Sequence, residues 1–334
     1  MRRRDFISLF GGAAVAWPLA AAAQQSVNSK RLAIFSPSEP SADLHEHTDS
    51  KKYRAFFAEL RRLGWIEGHN LKVESYGREQ NASGPEALAT EIVRSNPDVI
   101  HVVGPGAVIF KKLTSRIPIV VITSDPVKQG LAESLAHPGG NFTGASIDAG
   151  LSIHGKRIAL LRELVPTMSK LGCLALRFGW NGPSAGAFRT AAETAGLPLA
   201  VSLVEFGASE ADYRAAIESI SREGANAVMV VDSPETHQKG TLIAKLVGEA
   251  KLPAIFTNVE PVEAGGLMAY SFDLIELHKR AANNIDAILR GAKPGDIPIY
   301  QVTNFELSIN LKTAKQLGLS VPPALVASAD KVIE

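Results

Sequence analysis

Cysteine is almost absent. Cys173 is the single thiol in 334 residues, so no disulfide can form within the chain. It sits in the apolar run Leu171-Gly172-Cys173-Leu174-Ala175-Leu176 and reads as a buried small hydrophobe rather than an activated nucleophile. One buried thiol is compatible with an oxidising compartment. Enzyme signatures are also missing. There is no phosphate loop of the Gly-Lys-Ser/Thr kind and no Gly-x-Ser-x-Gly elbow. Gly104-Pro105-Gly106 begins like a dinucleotide fingerprint, but Ile109 stands at the third glycine position, and no acidic partner follows on the next strand. The histidines are scattered. His45-Glu46-His47 is their one cluster, without zinc-site spacing, and reads as a solvated loop. His101 reads as a core residue inside an apolar strand. These absences disfavour catalysis and predict neither a cofactor nor a metal. Two carboxylates brought together by folding leave no mark in a sequence, so a carboxylate-dependent hydrolase stays open.

An excess of one charge is lacking too. The first residues carry Arg2, Arg3 and Arg4, then a short apolar stretch from Phe6 to Leu19, then Ala20 to Ala23. That is the layout of an export signal, and its apolar stretch is shorter than a membrane span. Arg3-Arg4 followed by Asp5-Phe6-Ile7 is similar to a twin-arginine signal, which exports folded proteins. The expected signal is 1–23. Its loss takes three arginines and one aspartate from 35 Lys+Arg and 34 Asp+Glu, leaving 32 and 33. A nearly neutral chain has no bulk attraction for nucleic acid or anionic membrane. After the signal no stretch is long and apolar enough to cross a bilayer.

What is present is an alternation of strands and helices. Strands are expected at 31–35, 71–76, 99–103 and 117–122. Helices between them are expected at 51–63, 85–94 and 107–113. Tyr53, Phe56, Phe57, Leu60 and Leu63 recur at helical spacing, and Val99 to Val103 is a continuous apolar run of the kind buried on both sheet faces. The first half ends near 141–147 and the pattern restarts. Helices are expected at 154–165, 183–195, 212–222 and 241–250, and strands at 171–176, 199–206, 227–231 and 254–257. A strand at 267–272, a helix after it, a strand at 297–302 and a helix at 311–317 are too few for a third domain. They are read as returning to complete both halves. Alternation of this kind implies parallel sheets. The fold class is therefore α/β, with two doubly wound parallel-sheet lobes crossed several times by the chain. We expect lobe 1 to comprise 30–146 plus 267–296, and lobe 2 to comprise 147–266 plus 297–334. Several crossings make a hinge rather than a tether.

In such sheets ligands bind beyond the carboxyl ends of the strands. Those ends hold Ser36 and Ser38, Gly104, Gly106 and Ala107, Asp125, Trp180 and Asn181, Asp232, and Asn258. Gly104 and Gly106 allow close backbone approach. The helix starting at Ala107 offers N–H groups and a partial positive charge to a carboxylate. Asp125 and Asp232 suit an ammonium or hydroxyl groups, and Trp180 suits a ring. Each residue alone is also ordinary turn and cap chemistry. Asp125→Ala is expected to weaken ligand binding without unfolding the protein.

Several segments then resemble one family. They include Leu63-Gly64-Trp65-Ile66-Glu67-Gly68-His69-Asn70, His137-Pro138-Gly139-Gly140-Asn141-Phe142-Thr143-Gly144, Glu263-Ala264-Gly265-Gly266-Leu267-Met268-Ala269-Tyr270 and Ile309-Asn310-Leu311-Lys312-Thr313-Ala314-Lys315. Together they resemble the periplasmic substrate-binding proteins of ABC importers, in the group that includes tryptophan- and tyrosine-binding members. The resemblance implies a type I periplasmic-binding fold with a three-segment hinge, no catalysis, no cofactor and a periplasmic location. It also implies a small-molecule ligand, favouring an amino acid or related carboxylate, and an ABC permease powered by a separate ATPase as partner. Tyr270, closing one matched segment, joins the candidate ligand contacts. Members of the group often carry Gly-Thr-Pro-Ala at the carboxylate-binding turn. Here Gly104-Pro105-Gly106-Ala107 stands instead, which keeps backbone donors and loses a hydroxyl. Tryptophan is therefore not carried over as the ligand. A monomer without nucleic-acid partners is expected. A sensor module that presents its ligand to a membrane receptor is the other open reading.

Overall fold

In the computed structural model, which describes residues 29–147 and 151–334, the alternating pattern resolves into two sheets. The first takes β1 (Lys30–Phe35), β2 (Leu71–Tyr76), β3 (Val99–Val103), β4 (Ile119–Thr123) and β5 (Phe142–Ser146) from the first half of the chain. The second takes β6 (Leu171–Leu176), β7 (Leu199–Val204), β8 (Ala227–Val230), β9 (Ala254–Phe256) and β10 (Met268–Ser271). β11 (Tyr300–Gln301) returns to the first sheet, and β12 (Glu306–Asn310) and β13 (Lys331–Ile333) complete the second. The strand orders are β11-β5-β4-β3-β1-β2 and β13-β12-β10-β9-β8-β6-β7. The ladders are parallel except β10 with β12. In both sheets the order reverses beside the first strand of the half, at β1/β3 and at β6/β8, which is where doubly wound sheets open a crevice.

Local chemistry explains these elements. β3 and β4 are buried at every position, as their unbroken β-branched runs require. β7, on an edge, alternates half-buried and buried residues. The helix Lys51–Arg62 turns Tyr53, Phe56, Phe57 and Leu60 inward. It packs with helix Leu274–Leu289, which buries Leu277, Ala281, Ala282, Ile285 and Ile288 in the same core as β1, β3 and β4. Each fully buried aliphatic or aromatic side chain here contributes about 1.5–3 kcal/mol relative to exposure. Asp273 caps helix Leu274–Leu289 by accepting from Glu276 N–H at 3.0 Å, and Ser209 and Asp212 form a capping box at Glu210–Arg222.

The chain crosses between the sheets three times, after β5, after β10 and after β11. The fold is the type I periplasmic-binding fold with its three-segment hinge. The tail is distributed differently from the sequence expectation. Segment 267–296 is expected in lobe 1, yet its strand β10 pairs with β9 and β12 in the second sheet, and only its helix joins the first lobe's core. Segment 297–334 is expected in lobe 2, yet β11 pairs with β5 in the first sheet. An apolar strand fixes which faces are buried, not which sheet it joins. The expected strand 297–302 shrinks to two residues because Pro298 has no N–H for a ladder. β5 itself carries little strand signal, since Gly144 interrupts it. A Cβ there would fall 2.0 Å from the Val121 carbonyl oxygen, so the strand pairs with β4 only because that residue is glycine. The expected export signal, 1–23, lies outside the described residues.

Candidate ligand-binding site

Between the two sheets lies a cavity of about 340 Å³. The first lobe contributes Val103, Gly104 and Pro105 beyond β3, Val108 on the next helix, Ile122 and Ser124 beyond β4, Gln129, and Lys52. The second contributes Ala175 to Gly182 beyond β6, Ala185, and Val231 to Pro234 with His237 beyond β8. Ile147, Phe272 and Leu274 come from the hinge side. The walls are largely apolar, with a few polar groups that converge. Gln129 donates to Ser124 Oγ at 2.7 Å and accepts from Thr123 Oγ1 at 3.2 Å. Asp232 Oδ1 is 3.3 Å from His237 Nε2, which is also 3.1 Å from Thr257 Oγ1. Burial holds the His237 pKa below its ordinary value, although the Asp232 carboxylate opposes this. Lys52 pairs with the buried Glu39.

The lobes touch around this cavity. Gly104 has φ +90°, and a Cβ there would lie 2.7 Å from Pro234 Cγ on the other lobe. A Cβ on Gly179 would lie 3.1 Å from Pro105 Cβ. Arg78 donates to Gln238 Oε1 across the cleft at 3.1 Å. Two lobes, a three-stranded crossing and a cleft cavity at the switch points make the kind of pocket in which doubly wound sheets hold small molecules.

Residues 44–333 match the sequence model of the ABC transporter substrate binding protein family. The chain belongs to that family. A tyrosine-binding protein of Clostridioides difficile (strain R20291) is 27% identical over 284 residues, covering 83% of this chain and 80% of the relative. A conserved domain protein from Vibrio cholerae shares the fold with a TM-score of 0.77 at 24% identity, over 91% of this chain and 99% of that one. An ABC domain in complex with L-Trp from Streptococcus pneumonia shares it with a TM-score of 0.76 at 22% identity, over 91% and 100%.

Within this substrate-binding protein, four of the eleven candidate residues from the sequence, Gly104, Trp180, Asn181 and Asp232, line the cavity. Trp180 is held by Arg189, whose guanidinium lies 5.1 Å above the ring and whose Nη1 donates to the Trp180 carbonyl at 2.9 Å. The other seven do not line it. Gly106 abuts the Phe35 ring, where a Cβ would fall 2.5 Å from Cε1, and Ala107 is fully buried in the core. Asp125 caps its own turn, accepting from Lys128 N–H at 2.9 Å and pairing with the Lys128 ammonium at 3.0 Å. Asn258 donates to Glu260 at 2.9 Å. Tyr270 stacks on Phe305 at 5.5 Å, beside the hinge crossings. Ser36 and Ser38 are buried beneath the seam, Ser36 Oγ donating to Glu39 Oε2 at 3.1 Å. Ordinary turn and core roles thus account for most of the seven.

Sequence reasoning missed Lys52, Gln129, Arg177, Ser233 and His237. Arg177 directly follows β6, and Ser233 and His237 follow β8, so the strand-end rule carried to the next helix would have found them. Lys52, one residue into its helix, had no marker beyond following the first strand's loop. His101 donates through Nδ1–H to the Val120 carbonyl at 3.0 Å, while its Nε2 is buried without a partner among the described residues. Burial holds it neutral, with a pKa lowered to about 4.

Proposed function

We propose that this protein is the exported, periplasmic binding component of an ABC importer, a monomer that closes its lobes on an amino acid or a related carboxylate. The observation that carries this reading is the cavity bounded by both lobes and the hinge. Its volume falls in the range of small-molecule sites, about 300–1,000 Å³. The tyrosine-binding relative and the L-Trp-bound structural neighbour support an amino acid. So does the lining itself. Val103, Ile122, Phe178 and Phe272 offer an apolar envelope, and the Asp232 carboxylate offers an acceptor to an ammonium.

Closure follows from where the contacts lie. A ligand touching both lobes is bound better by the closed form than the open one, so it shifts the population toward closure. The closed lobes then present their rims to a permease, which a separate ATPase powers. No catalytic step is needed. Among the described residues no helix is long and apolar enough to cross a membrane. Small-angle scattering on the chain from Gln24 onward tests the mechanism. Titration with L-tyrosine or L-tryptophan is expected to lower the radius of gyration to a plateau at one equivalent. A radius unchanged at saturation of binding would overturn closure.

A further inference from the structure

We propose that Lys52 reads the ligand's carboxylate, so that the ligand bridges Lys52 of the first lobe and Asp232 of the second. This rests on the amino-acid reading above and specifies which groups recognise the ligand. Two cationic side chains line the cavity, Lys52 and Arg177. Arg177 is 59% exposed and pairs with the exposed Glu205, so water already screens it. The Lys52 side chain is only 17% exposed, and that of Glu39, its partner, 5%.

An ammonium has three donors. Among the described residues the hydrogen bonds of Lys52 go to Glu39 alone, which leaves two donors at the cavity wall. Glu39 is in turn fixed by Ser36 Oγ at 3.1 Å. The buried carboxylate thus aims the ammonium without filling its bonding capacity. Donors left unmet on a largely buried side chain are costly, and a charged acceptor supplies the strongest match.

Lys52 of the first lobe and Asp232 of the second line the same cavity, and so does the His237 ring. That ring lies 3.3 Å from Asp232 Oδ1. Burial holds its pKa below the ordinary value, the Asp232 carboxylate opposes this, and the positive charge of Lys52 adds to it. The cavity wall therefore carries a cation from one lobe and a carboxylate from the other, with the imidazole beside the carboxylate. An ammonium on Asp232 and a carboxylate on Lys52 would span the cleft, with the ligand's side chain against the apolar walls. A zwitterion held this way contacts both lobes only when they are closed, which is the differential affinity that closure needs.

The test compares L-tyrosine, tyramine, which lacks the carboxylate, and 3-(4-hydroxyphenyl)propanoate, which lacks the ammonium, by calorimetric titration. Lys52→Met strands a buried Glu39, so the double variant Lys52→Met/Glu39→Gln is measured beside it, with its melting temperature as the folding control. The expected result is that the double variant loses roughly tenfold or more in affinity for both carboxylates, while tyramine stays within about twofold. Lys52→Arg is expected to keep the preference for a carboxylate. Equal losses for all three compounds, or a wild type that binds tyramine as tightly as L-tyrosine, would overturn the assignment. Binding of the propanoate without L-tyrosine would overturn the amino-acid reading and leave the Lys52 assignment standing.

Discussion

Gly104 and Pro234 meet across the cleft, with no room between them for a single methyl group: a Cβ on Gly104 would lie 2.7 Å from Pro234 Cγ. Gly104 belongs to the turn after β3, and Pro234 opens the short helix Pro234–Gln238 after β8. Each stands at the carboxyl end of a strand next to its sheet's switch point, so the contact forms one edge of the cavity.

Gly104→Ala acts on two states at once. The positive φ of Gly104 costs a non-glycine residue about 1–2 kcal/mol whether the lobes are open or closed, which lowers the melting temperature of the free protein. The clash with Pro234 exists only on closure, so ligand affinity is expected to fall by a further tenfold or more, about 1.4 kcal/mol. Adding Pro234→Ala is expected to recover affinity but not melting temperature. Calorimetric titration and thermal melts of wild type and the two variants separate the two effects.

Asp232 and Asp125 are expected to part company. Asp232→Asn removes the cavity's acceptor for an ammonium and should weaken amino-acid binding by roughly tenfold or more. Asp125→Ala, which loses a turn cap outside the cavity lining, should leave affinity unchanged and cost about 0.5–2 kcal/mol of stability. This reverses the expectation from sequence for Asp125, and paired titrations decide it.

Glu235 predicts a pH dependence. Its carboxyl is fully buried at the seam, and burial raises its pKa. The Gly207 N–H, Lys239 on its own helix, the Ser38 hydroxyl from the other lobe and the Tyr213 hydroxyl temper that rise without cancelling it. A carboxyl whose folded pKa lies above its unfolded value binds more protons in the folded state. Its stabilisation is complete below the unfolded pKa and is lost as pH rises through the folded one. Wild type should therefore lose melting temperature relative to Glu235→Gln as pH rises from about 4.5, and the gap should level off once the raised pKa is passed. Parallel melting curves across that range would contradict it.

Much of the fold was legible because its signals are local. β2, β3 and β6 carry unbroken or alternating apolar runs and fall where their patterns put them. The export of β10 to the second sheet was not legible, since partner choice depends on surfaces far apart in sequence. At the site, Gly104, Asn181 and Asp232 were found through the strand-end rule. Lys52 was invisible because its significance depends on Glu39, brought beside it from a loop, and on Asp232, brought to the same cavity from the other lobe. Asp125 shows the converse: the right residue type at the right strand end, spent on its own turn.

Cys173 lies at the centre of β6, fully buried, and burial pushes its thiol well above the ordinary range. A thiol reagent is expected to leave the folded protein unlabelled at neutral pH and to modify one equivalent after denaturation. Rapid labelling of the native protein would show that the second lobe's core opens.

The account stands on a ligand held between the lobes, and a thermal-shift screen of the chain from Gln24 onward, unfolded and refolded to strip bound compounds, tests it most directly against the free amino acids. A ligand that binds the folded form alone adds about 2.7 kcal/mol of stability at a hundredfold excess over its Kd. The expected result is a clear rise in melting temperature with one class of amino acid, lost in Asp232→Asn, with the compound recovered intact. No rise with any amino acid, or a rise that Asp232→Asn leaves undiminished, would contradict it.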